Sequence, residues 1–195
     1  MSEELATASL FGTEVQHMKP LDWVNGFDVR PGFYMFLGAT PIPRGVNFTV
    51  QSKGATSCEL LLYHRKETEP YAVLPFPENY RIGDVYSMIV FGLNVEEFEY
   101  AYRLDGPWDP EKGLLFSKEH VLLDPYAKAV TGQSVWGRKV SEEGYRARVV
   151  RNNFYWGTET NPKIPMKELV IYEMHVRGFT KMAKDVQAPG TFRGI

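Results

Sequence analysis

From Gly45 onward the chain alternates apolar and polar positions in short runs. In "GVNFTV", Val46, Phe48 and Val50 share one face while Asn47 and Thr49 share the other, the period of a strand with one face in a core. "CELLLY" puts Cys58, Leu60 and Leu62 on one side, with Glu59 and Tyr63 flanking Leu61 on the other. "YAVL" and "VYSMIV" predict two further strands, and "FEYAYRL" sets Phe98, Tyr100, Tyr102 and Leu104 against Glu99, Ala101 and Arg103. Asp105-Gly106 closes that run with a turn signal. Short strands at close intervals, with turn residues between them, predict an antiparallel β-sandwich.

The flanking segments lack this order. Residues 1–30 show no clear periodicity and read as an extended leader, and "VRPGFYMFLGATPIPRG" reads as turns around an irregular lead-in strand. Val121 to Leu123 offer a closing strand, with Asp124-Pro125 starting a turn or helix. Residues 131–167 are polar and turn-rich, dotted with aromatics. A stretch of that length without periodicity predicts a connector at a domain boundary. In "ELVIYEMHVRGFT" (residues 168–180) an uninterrupted apolar run returns, as expected of a parallel strand buried on both faces and followed by a loop.

Composition narrows the function classes. Hydrophobic residues make up 44% and charged residues 24% of 195, ordinary for a globular domain. A formal net charge of -2, with both signs interspersed, gives no basic patch for nucleic acid. A single cysteine, Cys58, excludes an internal disulfide and a multi-cysteine zinc site, and fits a reducing compartment. No apolar run reaches the length of a membrane span and the acidic N-terminus is unlike a signal peptide, so the expected location is cytoplasmic. The four histidines are scattered without metal-ligand spacing, and no glycine-rich phosphate loop occurs. The expectation is no metal and no cofactor.

Several stretches together resemble the glycogen-debranching and isoamylase branch of the α-amylase superfamily. They are "RPG" with "LGAT" (residues 30–40), "GVNFTV", "ELLLY", "YAYRLDGPWDPEKGLLF" (100–116), "LLDPYAKAVTG" (122–132), "VIYEMHVRGFT" and "PGTFRGI" (189–195), all in the family's order. The resemblance covers roughly residues 20–195. It implies an immunoglobulin-like β-sandwich related to glycogen- and starch-binding modules, over residues 31–130. After the connector, residues 168–195 would open a (β/α)8 barrel that hydrolyses α-1,6 branch linkages. The fold expected is thus mainly β, a sandwich followed by a connector and the first strand of an incomplete barrel.

Glycoside hydrolysis of this type needs two carboxyl groups flanking the scissile bond. The family carries its catalytic carboxylates on middle and later barrel strands, and a full barrel takes roughly 250 residues. These 195 residues are therefore expected to be catalytically silent, with the rest of the barrel as the natural packing partner. Glu173 and His175 share a strand face, and with Arg177 they read either as groups beneath a sugar site at the barrel entrance or as structural residues tied to one another and to backbone. Sugar rings present apolar CH faces, so exposed aromatics are the candidate α-glucan contacts: Trp108 in its turn, Tyr86 on a strand, and Trp136 and Trp156 in the connector. Each competes with a core or interdomain role. The alternative to an enzyme's N-terminal portion is a free-standing α-glucan-binding or interaction module.

Overall fold

The structure, a computed structural model, describes residues 13–132, 144–151, 157–158 and 160–195. The chain divides into two units, Met1–Tyr155 and Trp156–Ile195. The first is built on two antiparallel sheets. One contains β1 (Asp22–Val24), β2 (Phe27–Pro31), β3 (Gly38–Ile42), β4 (Gly45–Gln51), β7 (Arg81–Ile82) and β8 (Val85–Phe91). Its order is β1-β2-β8-β4-β3, with β7 paired to β8. The other contains β5 (Ser57–His64), β6 (Pro70–Pro75), β9 (Phe98–Asp105), β12 (Ala129–Thr131) and β13 (Arg146–Arg148), in the order β12-β13-β9-β5-β6. A separate hairpin joins β10 (Trp108–Asp109) to β11 (Leu114–Leu115).

The alternation explains the core. Val46, Phe48 and Val50 of β4 meet Cys58, Leu60 and Leu62 of β5 and Tyr100 and Tyr102 of β9 in one buried cluster. Phe48 sits edge-on to Tyr100 at 5.2 Å between ring centroids, a favoured aromatic geometry. Parts of both outer faces are also covered. Asn47 and Thr49, expected on a solvated face, are fully buried. Phe33 N–H donates to Asn47 Oδ1 at 2.7 Å, Asn47 Nδ2 donates to Thr49 Oγ1 at 3.0 Å, and the Thr49 and Ser87 hydroxyls bond at 2.6 Å. The polar groups are satisfied by a segment distant in sequence, so their burial costs little. Gly32 makes the close approach possible, because a Cβ there would overlap Ser87 Oγ and Asn47 Oδ1. On the second sheet, Tyr63 is buried with the Arg146 guanidinium 4.0 Å above its ring.

The motifs that carry the resemblance turn out to be packing pairs. Tyr100 of "YAYR" bonds Asp124 of "LLDPY" at 2.6 Å. Gly38 of "LGAT" lies against Tyr126, where an added Cβ would stand 3.0 Å from its Cβ and carbonyl oxygen. Gly106 of "DGPW" faces the Phe116 ring in the same way.

Three expectations change. The segment read as a leader over residues 1–30 contributes β1 and β2, joined by a tight turn in which Asn25 and Gly26 both have positive φ (44° and 98°). Asn-Gly is the favoured pair for such a hairpin because both positions need φ above zero. The connector expected over 131–167 contributes β13, which carries β12 onto β9. Val121 to Leu123 form no closing strand, since only Leu122 bridges to Tyr102 before Asp124 turns the chain by accepting from Tyr126 N–H at 2.8 Å.

In the second unit the strand expected at "LVIY" is unpaired among the described residues. Leu169 and His175 have extended dihedrals, yet Val170 is 93% and Ile171 79% exposed. An extended segment becomes a strand only where a neighbour exchanges main-chain hydrogen bonds with it, and no described residue does so here. The following "VRGFT", expected at the carboxyl end of that strand, forms a short helix, α1 (Val176–Thr180).

Candidate functional site

Trp108 is 63% exposed although it lies on a strand. The β10–β11 hairpin accounts for this. Trp108 pairs with Leu115 and Asp109 with Leu114, so Trp108 and Leu115 share one face and both project outward. Between the strands, Asp109 Oδ1 accepts from Lys112 N–H at 3.3 Å and Oδ2 from Lys112 Nζ at 2.7 Å, capping the turn Pro110–Lys112. Gly113 closes it in the left-handed region at φ 73°, which glycine adopts at no steric cost. The hairpin is anchored from behind: Leu114 and Phe116 side chains lie over Gly54, and Phe116 packs on Gly106. Its inner face is packed, and the indole is left exposed on the outer one.

The other candidates separate. Tyr86 is 3% exposed, its ring edge-on to Phe76 and its hydroxyl donating to the Ala55 carbonyl at 3.0 Å. It has no free face to offer a sugar, which corrects its candidacy: it lies on the core face of β8 with Met88 and Val90. Trp136 and Trp156 lie outside the described residues. Glu173, His175 and Arg177 are exposed. His175 Nδ1 accepts from Gly178 N–H at 3.0 Å and so caps α1.

Trp23 escaped the sequence reading. It lies on β1 and is 68% exposed, and the signal for it was present in "DWVNGFDV", an alternating run around Asn-Gly.

Two antiparallel sheets enclosing one core, with an exposed tryptophan on a surface hairpin, define an antiparallel β-sandwich. Residues 36–127 match the family described as carbohydrate-binding module 48, the isoamylase N-terminal domain, and the sandwich belongs to that family. The chain is 31% identical over 180 residues to isoamylase 1, chloroplastic, of Arabidopsis thaliana, covering 87% of this chain and 23% of that protein. It is 34% identical over 166 residues to the glycogen debranching enzyme of Yersinia enterocolitica, covering 77% of this chain and 24% of the relative. A pullulanase from Anoxybacillus sp. LM18-11, solved with maltotetraose, superposes with a TM-score of 0.56 at 26% identity, over 81% of this chain and 20% of its own. The chain thus corresponds to the N-terminal region of isoamylase and glycogen-debranching homologues and spans about a quarter of their length.

Proposed function

We propose that this chain is the glucan-contacting N-terminal module of a debranching enzyme that hydrolyses α-1,6-glucosidic linkages, and that it holds α-glucan without cleaving it. The exposed Trp108, turned outward on an anchored hairpin, carries the reading. An aromatic side chain with two rotatable bonds on an already anchored hairpin has little freedom to lose when a sugar ring stacks on it, so more of the contact survives as affinity. The family match to a carbohydrate-binding module supports the substrate class, and the maltotetraose complex of the similar pullulanase supports the ligand type. In the whole protein the extended segment Leu169 to His175 becomes the first barrel strand, and its exposed Val170 and Ile171 meet neighbouring strands. A reducing compartment, with the cytoplasm as first choice, suits the free buried thiol of Cys58.

Co-sedimentation with glycogen tests the reading. The wild-type chain is expected in the pellet, Trp108→Ala in the supernatant, with no reducing ends released in either tube. Equal partition of both proteins, or turnover of the branched glucan, would overturn it.

A further inference from the structure

One end of the first sheet's outer face forms a row that crosses five strands. Trp23 of β1 stands opposite Asp28 of β2, and cross-strand partners point to the same side of a sheet. Val29 pairs with Val90, so one step along the same strands Asp28 comes beside Phe91 of β8. Phe91 pairs with Gly45 of β4, and Gly45 with Ile42 of β3. Elsewhere this face is closed by Val15, Met18 and Phe33 packing on Ile89 and Phe91. Past Phe91, which is itself 6% exposed, the face opens towards Trp23, and there Trp23, Asp28, Phe91 and Arg44 line a recess of about 700 Å³.

Two features give the recess a ligand chemistry. Gly45 leaves its position in the row without a side chain, and a Cβ there would overlap the Val90 carbonyl oxygen and stand 3.0 Å from Phe91 Cα. The missing side chain lets β4 close on β8 at this end of the sheet, which sets the preceding residue, Arg44, at the rim of the recess. Arg44 occupies the second position of the two-residue β3–β4 turn after Pro43, with φ 72°. Glycine or asparagine fits that left-handed site without strain, and arginine does not. Its main chain is pinned, because its carbonyl accepts from Gly92 N–H at 2.8 Å. Neither the Arg44 guanidinium nor the Asp28 carboxylate has a side-chain partner among the described residues.

An exposed indole and one charge of each sign around the recess suit an uncharged ligand with a flat apolar face and many hydroxyls. A phosphate ligand would meet the Asp28 carboxylate; a hydroxyl can accept from Arg44 and donate to Asp28. The geometry points to a second α-glucan subsite, in which a linear α-1,4-linked stretch stacks on Trp23 and hydrogen-bonds Asp28 and Arg44. This subsite rests on the glucan-binding reading proposed for the module and adds to it a contact on a different sheet from Trp108's hairpin.

Maltoheptaose titration of the 195-residue chain, followed by calorimetry and by the indole N–H signals in 15N-correlated spectra, tests the subsite. In the wild type the Trp23 indole signal is expected to move. Trp23→Ala is expected to weaken binding about five-fold, the scale of one aromatic contact. Arg44→Gly relieves the strained φ, so it is expected to weaken binding while the melting temperature stays level or rises. That pairing separates lost recognition from lost folding. An unmoved Trp23 signal with wild-type affinity in both variants, while Trp108→Ala still abolishes binding, would overturn the subsite, leave the Trp108 reading standing and reassign the row to protein contact. No binding by the wild type would overturn both readings. Binding lost in Trp23→Ala but kept in Trp108→Ala would support the subsite and remove the hairpin site.

Discussion

Tyr100 donates its phenolic hydrogen to Asp124 Oδ2 at 2.6 Å, and both residues are buried. The bond ties a central strand of the second sheet to the turn that leaves the Leu122 bridge. Beside it, the Tyr102 hydroxyl is equally buried but has no partner among the described residues. Removing a satisfied bond to a buried carboxylate strands the acceptor, whereas removing an unsatisfied hydroxyl does not. Tyr100→Phe is expected to cost about 1.5–3 kcal/mol, and Tyr102→Phe to be neutral or stabilising by up to about 0.5 kcal/mol. Urea unfolding of the two variants measures the contrast, and equal losses would contradict it.

Asp124 also makes stability depend on pH. Burial raises its carboxyl above the ordinary range, with the bonds from Tyr100 and from Tyr126 N–H opposing that rise. The folded form therefore holds this proton more tightly than the unfolded chain. The group's contribution is fullest below the ordinary carboxylate value and is lost as pH rises through the folded one. Asparagine keeps an oxygen for Tyr126 N–H and can donate to the Tyr100 oxygen, with no charge to bury. The stability of Asp124→Asn relative to wild type is expected to improve from pH 3.5 to pH 7. A difference independent of pH would show that the carboxylate is not held this way.

Gly106 lets the Phe116 ring approach, since a Cβ there would stand 2.8 Å from Phe116 Cδ2 and 3.0 Å from the Gly54 carbonyl oxygen. Gly106→Ala is expected to cost about 1–3 kcal/mol through overpacking. It also displaces the hairpin, so glucan affinity falls although Trp108 is intact. Melting temperature and glycogen co-sedimentation read the two effects together.

Cys58 is 1% exposed on β5, and burial pushes its thiol far above the usual range, with the neighbouring Glu59 adding to the rise. Thiolate is the reactive form. Labelling by a thiol-specific disulfide reagent is expected to be negligible in the native chain and complete in urea, rising with the unfolding transition. Rapid native labelling would place Cys58 outside the core.

Long strands were legible in the sequence because an apolar position recurs at every second residue over seven or eight residues, as in β4, β5, β8 and β9. The three-residue β12 and β13 are too short to show a period. The β1–β2 hairpin carried its signal in Asn25-Gly26, which counts for more than the weak periodicity around it. Burial of Asn47 and Thr49 was invisible locally, because Gly32 and Phe33 cover them from another segment. Trp108 could be placed by its Gly-Pro turn, while Tyr86 shares the alternation of Met88 and Val90 and belonged with the core. The apolar run at Leu169 to Tyr172 shows a strand's composition, but pairing depends on neighbours that composition cannot supply.

Native affinity electrophoresis in amylopectin gels tests the central claim most directly, with mobility referred to a protein that does not bind glucan. The wild-type chain is expected to be retarded in proportion to polysaccharide concentration, and Trp108→Ala to recover most of the unretarded mobility. Equal mobility of the wild type with and without amylopectin would contradict the claim that this sandwich holds α-glucan.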